Sequence, residues 1–265
     1  MHDALATVLD DLAPAAIAVS GGVDSMTLAV FAHRHLGGDR ILMMHAISPA
    51  VPPEATERVR RTADAEGWQL AVLDAGEFAD RDYIANPVNR CYFCKTNLYD
   101  AIARRTDRRI LSGTNTDDLG EYRPGLDAAR ERQVRHPYLE AGIDKAGVRA
   151  LARRLGLGDL SELPASPCLS SRIETAIPID ARVLAAVHAA ENLVGESLAP
   201  KTVRCRVRRD GIVVELDRDS LESLDTTRRD ALAAAVARVF PDSLAATAVA
   251  FAPYRNGSAF LGARK

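Results

Sequence analysis

Long apolar runs are missing from this sequence. No stretch approaches the ~20 consecutive apolar residues that a helix needs to cross a bilayer. The first residues, Met1-His2-Asp3, lack the basic and apolar regions of a signal peptide. We therefore expect a cytoplasmic protein with no membrane partner.

A strong excess of charge of either sign is missing as well. The formal net charge is −2 at pH 7, with 26% charged residues, which argues against a surface that grips nucleic acid. Hydrophobic residues make up 47% of the 265 positions, as in soluble globular proteins. The length is sufficient for two domains, and we expect no nucleic-acid partner.

The first half of the sequence alternates short apolar runs with helical patterns. The runs 15–19, 41–46, 69–73 and 110–111 predict strands, and 53–66, 97–105 and 145–155 predict helices, the last capped by Asp144. This alternation predicts an α/β fold with a doubly wound parallel sheet. Ligands of such sheets bind beyond the carboxyl ends of the strands. Three segments occupy such ends, namely Ser20–Ser25, His45–Ser48 and Gly113–Asp118.

The first of these segments reads Ser-Gly-Gly-Val-Asp-Ser and leads into a helix predicted from about Met26. Gly21 and Gly22 permit a sharp turn and close approach of the backbone to a ligand, and the helix N-terminus attracts anions. Asp24 would repel phosphate unless it helps to hold a divalent cation. The string therefore indicates Mg-nucleotide chemistry, and it resembles the PP-loop of the N-type ATP pyrophosphatases. An ordinary strand–turn–helix junction is the alternative.

The segment 113–125 is rich in groups that can meet Mg²⁺ and ribose. Its position after a strand favours a ligand-binding role over a merely polar turn. From these two segments we predict the following ATP-binding residues: Ser20, Gly21, Gly22, Val23, Asp24, Ser25, Gly113, Asn115 and Asp117.

The character of the sequence changes after residue 160. Residues 162–179 contain three prolines and little periodicity, as in an active-site loop or linker. Beyond them we predict a helix over 180–194, strands over 202–208 and 212–216 joined at an Asp-Gly turn, a helix over 226–239 and a strand over 245–251. We predict a domain over 1–172 and a smaller C-terminal α+β domain over 173–265.

The four cysteines are unevenly placed. Cys91 and Cys94 form Cys-Tyr-Phe-Cys, and Cys168 follows a proline-rich loop. In a reducing compartment such cysteines indicate metal binding or catalysis before disulfides. Three thiolates could bind three irons of a 4Fe–4S cluster, or zinc with one further ligand. Cys205 alternates with arginines in a predicted strand, so we expect it to face the core.

Arg206 and Arg208 lie on one face of that strand, two residues apart. Two guanidinium groups on one face could bind a phosphate or carboxylate. A solvated charged face is the alternative, and Arg255 is a weaker candidate of the same kind.

Taken together, these strings resemble the LarE-type ATP-dependent sulfur transferases of nickel-pincer nucleotide synthesis over almost the whole chain. The most specific matches are Pro-Ala-Ser-Pro-Cys-Leu-Ser-Ser-Arg at 164–172 and Glu-Tyr-Arg-Pro-Gly at 121–125. The resemblance implies a HUP-like PP-loop domain. It also implies adenylation of a carboxylate of pyridinium-3,5-biscarboxylic acid mononucleotide, followed by displacement of AMP by sulfur.

The resemblance also implies residue roles and partners. Cys168, Asp24 and Glu121 would be catalytic, and Arg172, Arg206 and Arg208 would bind the substrate. Cys91, Cys94 and Cys168 match a branch whose members carry a 4Fe–4S cluster that relays sulfide. The implied cofactors are ATP, Mg²⁺ and this cluster, and the implied partners are a nucleotide substrate, a sulfur donor and further copies of the chain.

Several alternatives remain open from the sequence. Cys168 could donate its own sulfur, as in a second branch of the family. A tRNA-thiolation enzyme would need a basic surface, and an ammonia-using PP-loop enzyme has no use for the cysteines. A zinc-stabilised nucleotide-binding module is the non-enzymatic alternative.

Overall fold

The computed structural model describes residues 2–120, 123–164, 167–245 and 247–262. The chain divides into two compact units, and among the described residues the first comprises 2–83 and 89–164 and the second 84–88 and 167–262. Cys168 and Arg172 therefore belong to the second unit. None of the described helices is long and apolar enough to cross a membrane.

In the first unit, four strands alternate with helices. In chain order the elements are α1 (His2–Leu12), β1 (Ala15–Ala18), α2 (Val23–Leu36), β2 (Ile41–Ile47), α3 (Pro53–Glu66), β3 (Leu70–Asp74), α4 (Arg81–Ile84, whose last residue belongs to the second unit), α5 (Arg90–Ala103), β4 (Arg109–Leu111), α6 (Gly125–Glu131), α7 (Pro137–Glu140), α8 (Lys145–Arg154) and α9 (Gly158–Ser161). Single 3₁₀ turns span Gly38–Arg40, Glu77–Ala79 and Thr116–Gly120.

The sheet is parallel throughout, with the strand order β3-β2-β1-β4. Consecutive residues of β1 point to opposite faces, so Ile17 packs in a core with residues of α1, α2 and α8, whereas Ala16 packs in a core with residues of α5 and α6. Both faces are covered by helices, and the predicted doubly wound sheet is confirmed.

The strand order places a topological switch point beside β1. The chain moves from β1 through β2 to β3 on one side, and β4 pairs with the other side of β1. The segments that follow β1 and β4 therefore leave neighbouring strand ends, which is where open α/β sheets bind ligands.

The second unit contains α10 (Ala181–Leu198), β5 (Val203–Arg208), β6 (Gly211–Leu216), α11 (Arg218–Glu222), α12 (Thr226–Ala237), α13 (Asp242–Ala245) and β7 (Val249–Pro253), with a 3₁₀ turn at Leu169–Arg172. Strands β5 and β6 form an antiparallel hairpin through Arg209-Asp210, and β7 pairs with β6 in parallel. The predicted α+β character is confirmed, although β7 begins four residues later than predicted.

The sequence analysis missed helix α1 and several short helices, and it misplaced the start of another helix. Helix α1 was not predicted, and α5 begins at Arg90 rather than at Asn97. Cys91 and Cys94 therefore lie in the first turns of a helix, not in a loop. The Cys-Tyr-Phe-Cys string carries little intrinsic helix preference, and the helix is supported by packing against α6, where the Tyr92 hydroxyl donates to Glu131 at 2.7 Å.

Candidate functional site

The turn between β1 and α2 is held by its two serines. Ser20 N–H donates to Ser25 Oγ at 3.0 Å, and the two hydroxyl oxygens are also 3.0 Å apart. Gly22 is the N-cap of α2 and supplies no side-chain hydrogen bond to the first turn. Among the described residues, no side-chain cap binds the orphan amides of this helix start, and such amides bind anions. Val23, the first residue of α2, is buried.

Gly21 is required by two independent features of the backbone. Its φ is +81°, and a Cβ added there would lie 2.6 Å from the carbonyl oxygen of Ala55 on α3. Arg58, one turn further along α3, donates to the carbonyl oxygen of Gly21 at 2.7 Å. The contacts from α3 therefore fix the conformation of the turn at Gly21.

The segment after β4 packs directly against the start of α2. A Cβ added to Gly113 would lie 2.8 Å from the backbone nitrogen of Ser25. Asn115, which is buried, donates from Nδ2 to Asp24 Oδ1 at 3.1 Å, and its Oδ1 accepts from Asp117 N–H at 3.1 Å. The two predicted ATP-binding segments thus form one continuous site around Asp24.

Lys145 is the functional candidate that sequence reasoning missed. Its Nζ lies 2.5 Å from Asp24 Oδ2, and its backbone N–H donates to Asp117 Oδ2 at 3.4 Å. Lys145 is the first residue of α8, whose N-cap is Asp144. A cation at the positive end of a helix dipole is electrostatically unfavourable. A lysine directly after the Asp144 cap was therefore a sequence signal that Lys145 has a role other than helix formation.

Two buried aromatic side chains support the site. Tyr138 donates its hydroxyl to the backbone oxygen of Asp24 at 3.1 Å, and burial raises the pKa of Tyr138 well above its usual value. His45 is completely buried and bonds Val19 O through Nδ1 at 2.8 Å and Thr56 Oγ1 through Nε2 at 2.9 Å. Burial lowers the pKa of His45. The neutral imidazole therefore ties the end of β1 to α3.

In the second unit, the arginines of β5 converge on a buried carboxylate. Glu215 of β6 accepts from Arg206 Nε at 3.1 Å, from Arg208 Nη2 at 2.9 Å and from Ser258 Oγ at 2.6 Å. Arg206 is 3% exposed, so the alternative of a solvated charged face is wrong for this residue. Arg255 contributes its backbone oxygen, which accepts from Arg206 Nη2 at 3.4 Å.

Arg172 is also buried, at 3% exposure, and makes a bidentate pair with Glu191 of α10 through Nε and Nη2, each at 2.9 Å. Its Nη1 faces the segment that carries Cys168, and it donates to the carbonyl oxygens of Pro167 at 2.5 Å and Cys168 at 3.1 Å.

The cysteines differ in their surroundings. Cys91, Cys94 and Cys168 are half-buried, whereas Cys205 is completely buried and burial raises the pKa of its thiol. The expected core position of Cys205 is confirmed. Cys91 and Cys94, three residues apart on α5, share one helix face. Within the described ranges, no three His, Cys, Asp or Glu side chains are arranged as a metal site. Glu121 lies outside the described residues.

Comparison with known proteins gives three informative relatives. No family model matches the chain. An uncharacterized protein of Synechocystis sp. is 37% identical over 216 residues, which cover 80% of each chain. The pyridinium-3,5-bisthiocarboxylic acid mononucleotide synthase of Lactiplantibacillus plantarum is 31% identical over 216 residues, covering 80% of this chain and 78% of that protein. An NH(3)-dependent NAD(+) synthetase of Methanosarcina mazei is 31% identical over 157 residues, covering 53% of this chain and 58% of that protein.

Proposed function

Because this chain belongs to the LarE family of ATP-dependent sulfurtransferases, we propose that it converts pyridinium-3,5-biscarboxylic acid mononucleotide to a thiocarboxylate. The observation that carries the proposal is the likeness to the pyridinium-3,5-bisthiocarboxylic acid mononucleotide synthase over four fifths of the chain. The arrangement around Asp24 supports it, because a glycine-rich turn, an uncapped helix start and a cation-paired carboxylate suit a metal-bound nucleotide.

The first half of the reaction is adenylation of a substrate carboxylate. A carboxylate oxygen attacks the α-phosphorus of ATP, the bond to the β-phosphate oxygen breaks, and pyrophosphate leaves. The amides of Val23, Asp24 and Ser25 at the start of α2 would bind the phosphates. Lys145 would turn from Asp24 to a phosphate oxygen as charge develops there.

The acidic groups at this position fit a Mg²⁺ ion. Asp24 and Asp117 both contact Lys145, the first through the ammonium and the second through the backbone N–H. Carboxylate oxygens are the ligands that Mg²⁺ prefers, and the cation beside Asp24 shows that the carboxylate attracts positive charge. These two residues would hold the metal, which when bound neutralises charge on the phosphates.

The second unit would bind the substrate through its phosphate. Arg206 and Arg208 share Glu215 as a common acceptor. Arg206 is as buried as Arg172, so it would hold Glu215 and Arg208 in place before the substrate arrives, and Arg208 would meet the phosphate. Arg208 keeps an Nε that has no partner among the described residues. That nitrogen is itself buried, but the Arg208 side chain is 23% exposed, so a phosphate could accept from the exposed part of its guanidinium.

In the second half of the reaction, a sulfur nucleophile attacks the activated carbonyl carbon and AMP leaves. Activation is needed because a carboxylate becomes a good electrophile only when its oxygen can depart. From the family resemblance we infer that Cys91, Cys94 and Cys168 hold a 4Fe–4S cluster. The described residues do not themselves form a metal site, but all three thiols are half-buried rather than sealed in the core. When bound, such a cluster keeps an added sulfide in a nucleophilic state.

The sulfur source has one alternative. If Cys168 donates its own sulfur, its Sγ displaces AMP to form a thioester. Loss of the α-proton and cleavage of the Cβ–S bond then release the thiocarboxylate and leave dehydroalanine. Each protein molecule would then act once.

A homo-oligomeric state, which the family resemblance implies, is part of the same proposal.

The test uses anaerobically purified protein with Mg-ATP, the mononucleotide and sulfide. We expect equal amounts of AMP, pyrophosphate and thiocarboxylate product, formed in excess over protein. Iron and acid-labile sulfide analysis of the same sample should show the cluster, and zinc alone would overturn it. A mass loss of one H₂S at Cys168 would assign the sulfur to that residue. Failure to release pyrophosphate with this substrate would overturn the proposed function itself.

A further inference from the structure

We propose that Arg172 is a positioning residue that fixes the backbone at Cys168, rather than a ligand of the substrate. The inference rests on the proposed function only in assigning Cys168 to the sulfur step. It comes from the contacts that the guanidinium makes inside the second unit.

All three nitrogens of the Arg172 guanidinium are already engaged. Nε and Nη2 donate to the two carboxylate oxygens of Glu191, each at 2.9 Å. Nη1 faces the carbonyl oxygens of Pro167 and Cys168 and the Ser171 hydroxyl, at 2.5, 3.1 and 3.1 Å. A guanidinium has five N–H donors. Four of them meet these five acceptor atoms, and the second N–H of Nη2, for which the described residues provide no acceptor, lies on a side chain that is only 3% exposed. A substrate phosphate could therefore bind Arg172 only by opening these buried contacts.

Glu191 connects this cluster to the scaffold. Its Oε1 also accepts the backbone N–H of Cys205 at 2.9 Å, so one carboxylate on α10 joins strand β5 to Arg172. The side chains of Arg172 and Glu191 are only 3% and 10% exposed. A charged pair this buried is costly to rearrange, which makes it a rigid support and a poor mobile ligand.

The cluster acts on Cys168 through the backbone on both sides of the residue. Arg172 binds the carbonyl oxygens immediately before and at Cys168, and Ser171 N–H donates to the same Cys168 oxygen at 3.0 Å. The carbonyl oxygen of Ser171 in turn accepts from Arg206 Nη1 at 3.0 Å. The backbone that carries the half-buried Cys168 thiol therefore has few remaining ways to move.

The test compares the double variant Arg172→Met/Glu191→Met with the wild-type full chain. Both charges are removed together because a single buried charge left without its partner can unfold a protein. The matched control is Arg34→Met/Glu66→Met, which removes another bidentate pair, at 2.9 and 2.6 Å, on the surface of the first unit. Arg172→Lys is the second variant, since it keeps the charge but cannot reach Glu191 and two carbonyls at once.

The first measurement needs no substrate. Iodoacetamide alkylation of the metal-free full chain is followed for each thiol by peptide mass spectrometry. Loss of the hydrogen bonds from Arg172 should raise the alkylation rate of Cys168 about tenfold. The alkylation rates of Cys91 and Cys94 should stay unchanged and serve as internal references. The surface control should change none of the three.

The second measurement separates positioning from substrate binding. In both Arg172 variants, sulfur transfer should fall about a hundredfold, while KM for the mononucleotide in pyrophosphate release should stay within about twofold of wild type. A rise in KM with unchanged alkylation at Cys168 would make Arg172 a substrate ligand and overturn the proposal. Absence of pyrophosphate release in the wild type would contradict the proposed function, and the alkylation rates would still decide the role of Arg172.

Discussion

The ammonium of Lys145 lies 2.5 Å from a carboxylate oxygen of Asp24, although 121 residues separate them in the chain. Asn115 binds the other carboxylate oxygen, and both charged side chains are about one third exposed, at 32% and 28%. The pair is therefore open to exchange with solvent ions. A metal-bound nucleotide can replace each partner, because Mg²⁺ suits the carboxylate and phosphate suits the ammonium.

Lys145→Met should lower the rate of adenylation about a hundredfold, the usual effect of losing one charged donor to a developing oxyanion. The free energy of unfolding should change by about 1 kcal/mol or less, since a partly exposed ion pair contributes little. Pyrophosphate release and urea denaturation measure the two effects. Lys201→Met is the control, because Lys201 forms an exposed pair with Asp219 at 2.7 Å. Full adenylation activity in Lys145→Met would exclude this role.

Gly21→Ala should destabilise the protein by about 3 kcal/mol, because strain at positive φ adds to overpacking against Ala55. ATP binding should be lost in the fraction that still folds. Gly67→Ala provides the comparison, since Gly67 has φ +67° but nothing within 4 Å of an added Cβ; it should cost about 1 kcal/mol. If the two variants lost the same free energy of unfolding, α3 would have to move away at Ala55 to make room for the added Cβ. Thermal denaturation and ATP titration supply the measurements.

Cys91→Ala should abolish multiple turnover and leave ATP binding intact, because ATP is assigned to the strand ends and not to α5. The measurements are product per protein molecule and isothermal titration with ATP. Cys205→Ala is the matched control, as that thiol is completely buried in the core; it should retain turnover and lose about 1 kcal/mol of stability. If Cys91→Ala turns over repeatedly at the wild-type rate, the cluster assignment fails.

Acidification should weaken the fold through His45. Burial lowers the pKa of His45 in the folded state, so between that pKa and the unfolded value of about 6.5 the unfolded chain binds more protons. The free energy of unfolding therefore rises with pH in this window. The stabilisation is complete above about pH 6.5 and is lost as the pH falls through the folded pKa.

Urea denaturation between pH 5 and 7.5 tests this dependence. His45→Gln should flatten the slope of unfolding free energy against pH, and His136→Gln should flatten it independently, because burial lowers the pKa of His136 too. Identical slopes in wild type and His45→Gln would show that another group controls acid stability.

The sequence predicted a helix or a cap correctly where the residues that define it lie within one short segment. Helix α3 spans the predicted Pro53–Glu66, and the Asp144 cap of α8 accepts from Gly147 N–H at 2.7 Å as a cap should. The prediction for α5 failed because its start depends on packing against α6. Strand β7 was misplaced because its register is set by pairing with β6, from Ile212↔Val249 to Leu216↔Pro253.

The sequence by itself determined the parallel α/β architecture, the glycine-rich turn after β1 and the family resemblance, because each depends on residues that are near neighbours in the chain. Only the tertiary structure decided that Lys145 reaches Asp24, that Arg58 holds Gly21, and that Arg172 is enclosed by Glu191 and the Cys168 segment. The physical reason is that these are contacts between separate elements. Hydrogen-bond geometry and burial arise only when the sheet has fixed the strand ends and the helices have packed, so no local pattern encodes them.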